Sequence, residues 1–387
     1  MTGKDLLKGI QNVDADLIEE AEFGTFQKHT AEVSRRKKLL LVLAAALVMA
    51  TMTAAAAYTR WSSTMQFGAF GSPPPSQQVK EKAQQSGLSV MPTQSEGTSI
   101  SAEDQGITVT LAQTVMDPRG GKVVFRIQGL DLEEGQSPWA WWYLTVDGKK
   151  YDFSWTSQFF PGFIKNQEGE LVYAKNGKPV EYNEKQELIQ DYYLNDGSIE
   201  FSVDLLVSPD EVMPFGKEIA FHFTGFGIQG EKFEDEEIQT VSGNWNLSWT
   251  LEGSTQPPKK WTPNAEIGHW DLTLVEVEIG QMSMKGVYKL GEQYEDPEDF
   301  VDKEKWSITP AELVMADGTV TTAFGGSSPI SWDPETHLMT LLTYPGDTVV
   351  DPEQIVGINY FAGYEINERG FREDKPYYFV PLKEAGK

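Results

Sequence analysis

Few residues in this 387-residue sequence stand at spacings that do covalent chemistry. It has no H-E-x-x-H pair for zinc, no G-x-S-x-G nucleophile elbow, no phosphate loop and no dinucleotide fingerprint. The absence of cysteine excludes disulfides, thiolate zinc sites, thiol nucleophiles and a lipid carried on an N-terminal cysteine. His222, His269 and His337 lie far apart, none with a second histidine at a metal-ligand spacing, so they read as satisfied or surface side chains. The acidic clusters Glu231–Glu237 and Glu295–Glu304 offer hard oxygen ligands without a calcium-loop pattern, and read as solvated loops. No catalytic residue, metal or cofactor is therefore expected. A glycosidase-type carboxylate pair would leave no sequence signature, and an extracellular hydrolase is the weakest of three functional readings.

What remains is recognition chemistry. Trp139, Trp141, Trp142 and Tyr143 offer aromatic faces of the kind that stack on sugar rings or anchor a protein partner. On a strand, Trp139, Trp141 and Tyr143 share one side. The run serves either as core or as a ligand platform built on Trp139, Trp141 and Trp142.

These residues need a scaffold, and composition points to a β one. Aromatic residues make up 12% of the chain, with 35 Gly and 21 Pro, which suits short strands joined by turns better than a helical bundle. A net charge of −26 repels nucleic acid and anionic lipid alike, so no nucleic-acid partner is expected.

Leu39–Tyr58 is uncharged and long enough to cross a bilayer as one helix. Arg35, Arg36, Lys37 and Lys38 stand directly before it, which keeps the N-terminus in the cytoplasm and the rest outside. The competing reading is a cleaved signal peptide ending at Ala54–Ala57, against which stand its long leading region and long apolar run. Within the cytoplasmic segment, Leu6, Ile10, Val13 and Leu17 fall on one helical face, flanked by Leu7 and Ile18. So short a helix cannot bury that stripe alone, so these residues either meet a partner or belong to a disordered tail.

Residues 59–101 read as a flexible stalk, rich in Ser, Thr and Gln and containing Pro73, Pro74 and Pro75. From Gly106 the period becomes two. Ile107, Val109 and Leu111 lead to Val123, Phe125 and Ile127 across a turn at Asp117–Gly121. Ile199–Leu205, Ile219–Phe223 and Trp245–Leu251 alternate likewise, giving an antiparallel β-sandwich over 102–255. Gln256–Lys260 breaks the pattern, and 256–387 forms a second sandwich with turns at Asp317–Gly318 and Asp333–Thr336.

The stretch from Asp5 to Ala21, DLLKGIQNVDADLIEEA, and the stretch Gly106–Gly129 with ITVTL and Asp117 resemble membrane-bound regulatory proteins of Bacillota, the extracytoplasmic-function anti-sigma factors and their relatives. The chain lacks the cysteines of the zinc-binding anti-sigma domain, and its cytoplasmic part is much shorter. The resemblance implies a β-rich ectodomain followed by an immunoglobulin-like domain. It also implies a cytoplasmic sigma-factor partner, an envelope signal sensed outside, and release by proteolysis. Against this regulator stands a tethered adhesin, whose ectodomain binds an envelope protein or glycan and whose cytoplasmic segment serves topology alone.

Overall fold

Alternation builds the sheets. Ile107, Val109 and Leu111 are buried, while Thr108 and Thr110 between them are half-exposed, the pattern of a strand with one face on a core. The computed structural model describes Ser62, 77–90 and 99–382, apart from 134, 152, 167–169, 185, 187, 209, 230–237, 269, 305–309, 323–326, 344–348, 362–363, 367–371 and 375–376. The described part is mainly β, and every strand pairing in it is antiparallel.

After a helix α1 (Gln77–Gln85), the strands in chain order are β1 (Ser89–Val90), β2 (Ser101–Asp104), β3 (Ile107–Met116), β4 (Gly120–Gln128), β5 (Pro138–Val146), β6 (Lys149–Lys150), β7 (Ser154–Phe159), β8 (Phe163–Lys165), β9 (Leu171–Tyr173), β10 (Ile199–Leu206), β11 (Glu218–Ile228) and β12 (Ile238–Thr250). One sheet runs β1-β3-β4-β10-β7, with β2 also on β3, and the facing sheet runs β12-β11-β5-β6. Between them lies a core of aromatic rings. Phe125 packs 4.9 Å from Phe221 and 5.1 Å from Phe223, and Trp249 stacks on Phe221 at 5.7 Å. Truncating any fully buried one of these rings would cost about 3–5 kcal/mol. Asp147 and Gly148 both adopt positive φ, the geometry of the tight turn that joins β5 to β6.

The second half continues with β13 (Lys259–Trp261), β14 (Ala265–Glu266), β15 (Leu272–Ile279), β16 (Met284–Leu290), helix α2 (Pro297–Glu304), β17 (Pro310–Met315), β18 (Val320–Thr322), β19 (Ser327–Asp333), β20 (Leu338–Thr343), β21 (Ile355–Tyr360), β22 (Tyr364–Ile366), β23 (Arg372–Asp374) and β24 (Tyr378–Pro381). Its sheets are β13-β15-β16-β20-β19 and β18-β17-β21-β24, closed over a separate core that includes Leu272, Tyr288, Leu313, Ile358 and Val380. The first core ends at Leu251 and the second begins at Trp261.

The acidic cluster at Glu295–Glu304 forms most of α2 rather than a loop. Asp296 caps the helix by accepting from the Asp299 amide at 2.8 Å, and Asp299 accepts from the amide of Glu295 just before the cap at 3.0 Å.

Within the stretch expected to be a flexible stalk, the described residues 77–90 depart from that reading. Val79 and Ala83, four residues apart on α1, lie on one face, and Ala83 joins Leu88, Val115, Val124, Met282 and Val349 in a third apolar cluster. Leu88 accepts from the Met116 amide at 2.9 Å, and β1 adds to the edge of β3. Earlier in the chain, the Ser62 amide donates to Gln113 Oε1 at 2.9 Å. Proline and glutamine content signalled a spacer, whereas 77–90 form α1 and β1 with Ala83 and Leu88 in an apolar cluster.

A single carboxylate fastens the two sandwiches at this cluster. Asp117 is buried, and its Oδ1 accepts from the amides of Arg119 and Gly120, closing the β3–β4 turn. Its Oδ2 accepts from the amides of Met282 and Ser283 in the β15–β16 turn, both at 2.9 Å. The Ser283 hydroxyl lies 2.8 Å from both oxygens. Burial pushes this carboxyl above the ordinary carboxylate range, opposed by the hydrogen bonds from Arg119, Met282, Ser283 and Gly120. Gly280 is required here, because a Cβ on it would sit 2.4 Å from Asp117 Oδ2. Arg119 to Glu278 at 3.0 Å and Lys82 to Asp351 at 2.6 Å flank the junction.

The expected cytoplasmic helix, with Leu6, Leu7, Ile10, Val13, Leu17 and Ile18, lies outside the described residues, as do Arg35–Lys38 and the span Leu39–Tyr58. Among the described residues no helix is long and apolar enough to cross a membrane.

Candidate functional site

Register decides which way the aromatic run faces. β5 pairs with β11 so that Tyr143 lies opposite His222 and Leu144 opposite Phe221. Phe221 is core, so Ala140, Trp142, Leu144 and Val146 turn inward, while Trp139, Trp141, Tyr143 and Thr145 turn out. The sequence grouped Trp142 with Trp139 and Trp141 as a platform, and the structure separates it from them. Trp142 stacks on Phe221 with ring centroids 5.4 Å apart, on the opposite side of the sheet.

The outward row carries three rings at a spacing of about 6.8 Å along the strand. Tyr143 is 50% exposed, and Trp139 and Trp141 are half-buried. Among the described residues the Trp139 and Trp141 indole N–H groups and the Tyr143 hydroxyl have no protein hydrogen-bond partner, so each ring presents an apolar face and an available polar tip.

Polar groups on the neighbouring strands pack against the Tyr143 end of this row. His222 stacks on Tyr143 with centroids 4.5 Å apart and planes 16° apart. Its Nδ1 lies 2.6 Å from Asn246 Oδ1, and its Nε2 lies 3.2 Å from Thr145 Oγ1. A carboxamide oxygen only accepts, so Nδ1 carries the proton and Nε2 accepts from Thr145 in the neutral ring. Asn246 in turn donates to Asn244 Oδ1 at 2.9 Å, and the Asn244 amide donates to Asp104 Oδ2 at 2.9 Å. The face is therefore an aromatic strand beside a hydrogen-bonded strip of His, Thr and Asn. Such a surface binds a ligand that offers both apolar faces and hydroxyl or amide groups.

Sequence reading took His222 as a satisfied or surface side chain but did not join it to Thr145 and Asn246, which lie on β5 and β12, the two strands that flank its own. The signal that could have found them is the match of the alternation in Ile219–Phe223 to that in Trp245–Leu251, which puts His222 and Asn246 on the polar phase of each. His337, at φ +55, occupies a turn between β19 and β20, and His269 lies outside the described residues. Among the described residues no group of three or more His, Asp or Glu could hold a metal ion.

A cleft of about 400 Å³ beside β9 is lined by Tyr173, Lys175, Lys178, Glu181, Tyr192 and Tyr193 among others. Its tyrosine hydroxyls are spent on the protein itself: Tyr173 donates to the Ile189 carbonyl at 2.9 Å, Tyr193 to the Leu130 carbonyl at 3.0 Å, and Tyr192 to Ser137 Oγ at 3.1 Å. They brace the excursion between β7 and β10, which makes this cleft the weaker candidate.

No protein-family model matches the chain, and no curated protein sequence matches it. Among solved structures it is similar to "The crystal structure of the conserved domain protein from Bacillus anthracis", with a TM-score of 0.38 and 11% identity over 73% of this chain and 87% of that one. That likeness is too distant to carry a fold or a function across.

Proposed function

We propose that the chain is a single-pass membrane regulator of the anti-sigma type, whose two immunoglobulin-like sandwiches lie outside the cell and bind an envelope ligand through the outer face of β5, β11 and β12. The observation that carries the binding half is the outward row Trp139, Trp141 and Tyr143, whose polar tips have no protein partner among the described residues, beside the His222–Asn246 strip. A neutral glycan or a hydroxyl-rich protein surface fits it. A strongly anionic polymer does not, given a net charge of −26.

The regulatory half rests on the cytoplasmic stripe Leu6, Leu7, Ile10, Val13, Leu17 and Ile18, the tetrabasic flank Arg35–Lys38 and the apolar span Leu39–Tyr58. The outward aromatic face equally favours a second reading, a tethered adhesin with no cytoplasmic partner.

One pair of measurements separates them. Full-length protein and a form lacking Met1–Lys38 are each used to recover sigma factors from detergent extracts, and the deletion should abolish recovery. Unchanged recovery removes the regulator and leaves the adhesin. Titration of full-length protein with soluble envelope glycan fragments, followed by tryptophan fluorescence, tests the face itself. Trp141→Ala should weaken binding at least tenfold without lowering the melting temperature, and binding that survives Trp139→Ala, Trp141→Ala and Tyr143→Ala together refutes the site.

A further inference from the structure

The first sandwich leaves two strand edges open on the same flank, next to the Trp139 end of the aromatic row. The Phe160 amide bonds the Glu200 carbonyl, so even-numbered residues of β7 direct their backbone to β10 and Trp155, Ser157 and Phe159 direct theirs outward. On the facing sheet the Asp147 amide bonds the Glu218 carbonyl and the Gln229 amide the Ser137 carbonyl, so odd-numbered residues of β5 serve β11 and Ala140 and Trp142 face outward. β6 covers β5 only at Thr145 and Val146. Among the described residues no strand or loop takes up the outward backbone groups of Trp155, Ser157 and Phe159.

That edge lacks the usual guards. Ser154–Phe159 contains no charge, no proline and no bulge in its pairing with β10. Trp155, 56% exposed, rests edge-on against Trp142 at 4.8 Å, so the apolar interior shows at the flank. Beside it opens a cleft of about 210 Å³, lined by Trp139 of the aromatic row together with Pro138, Ala140, Ser157, Phe159 and Phe201. This is smaller than the ~300–1,000 Å³ of small-molecule sites but suits one large apolar side chain.

We propose that β7 accepts an added strand from another protein, an extended segment with apolar residues at alternate positions and basic flanks. Only an extended polypeptide supplies N–H and C=O groups at the repeat that Trp155, Ser157 and Phe159 present. One of its inward side chains fills the cleft and another covers Trp155. A second copy of this chain is disfavoured as the occupant because each carries a net charge of −26, and the same charge attracts a basic segment.

The test selects displayed nonapeptides, alternately apolar and hydroxylated with terminal lysines, on full-length protein held in detergent. The peptides selected should lose at least tenfold affinity for Ser157→Pro, which removes an edge amide, and for Ser157→Lys, which puts a charge into the cleft. Hydrogen exchange on the wild type should slow at Trp155, Ser157 and Phe159 when peptide is added, a readout independent of either variant's fold. A selection that yields only peptides indifferent to both substitutions, or protection confined to other strands, overturns the proposal. So does a dimer in light scattering whose β7 amides are already protected without peptide.

Discussion

Asp117→Asn should uncouple the two sandwiches while leaving each folded. The asparagine oxygen can still accept from the Arg119 and Gly120 amides, which hold the β3–β4 turn within one sandwich. Its NH2 then faces the amides of Met282 and Ser283, two buried donors left without an acceptor. Each such loss costs about 1–3 kcal/mol, or roughly 2–6 kcal/mol for the pair. Burial holds the Asp117 carboxyl above its ordinary range, so removing a desolvated charge offsets part of that loss and places the expected cost near the lower end, about 2 kcal/mol. Ser283→Ala removes only the hydroxyl donor and should cost about 1 kcal/mol. Calorimetry of the full-length protein reads the effect directly: one transition for the two coupled sandwiches of the wild type, and two for Asp117→Asn, one from each sandwich. A single transition in Asp117→Asn, at wild-type stability within about 0.5 kcal/mol, would refute the carboxylate as the fastening.

The remaining predictions concern other parts of the molecule. Trp142→Ala should destabilise the first sandwich by about 3 kcal/mol, whereas Trp139→Ala should change its stability by no more than about 0.5 kcal/mol, as read by urea unfolding; the opposite order would place the row on the core side. Burial pushes the Tyr288 hydroxyl up to about 12, so the folded state keeps a proton that the unfolded chain releases near 10; stability is lost as pH rises through that window, by about 3 kcal/mol, and base titration of the wild type against Tyr288→Phe should show a smaller loss in the variant. Gly280→Ala should reproduce the split transition of Asp117→Asn, since its methyl group displaces the same carboxylate oxygen. Protease added to intact protoplasts should remove the chain beyond Ser62 and spare an N-terminal tag, and neutralising Arg35–Lys38 together should scramble that protection; a shielded C-terminal tag in the wild type would reverse the orientation.

Sheets were legible in this sequence wherever one face was wet, because a period of two marks such strands directly. Ile107–Leu111 and Trp245–Leu251 alternate cleanly and sit where the pattern put them. β10 was less plain than it looked. Glu200, Ser202 and Asp204 occupy its polar phase yet are buried, with Glu200 against Arg126 and Asp204 against Lys122 at 3.0 Å. The same limit governs the candidate site. Alternation says that Trp139, Trp141 and Tyr143 share a side and that Trp142 takes the other, but it does not say which side is the core. That choice was made by β11, whose phenylalanines at 221 and 223 are fixed inward by Phe125 and Trp249, and which therefore turns His222 and its partner Tyr143 to the outside. Residues more than seventy positions apart must be paired before Thr145, His222 and Asn246 become one hydrogen-bonded strip. The junction was hidden for a different reason: an Asp-Pro-Arg-Gly-Gly run reads as a turn, and it is one, but only half of the Asp117 carboxylate is used by that turn. The other half is claimed by a second turn, Gly280–Ser283, whose two amides give no sign in the sequence of needing an acceptor from elsewhere in the chain. Backbone donors carry no residue identity, so a site assembled from them becomes visible only in three dimensions.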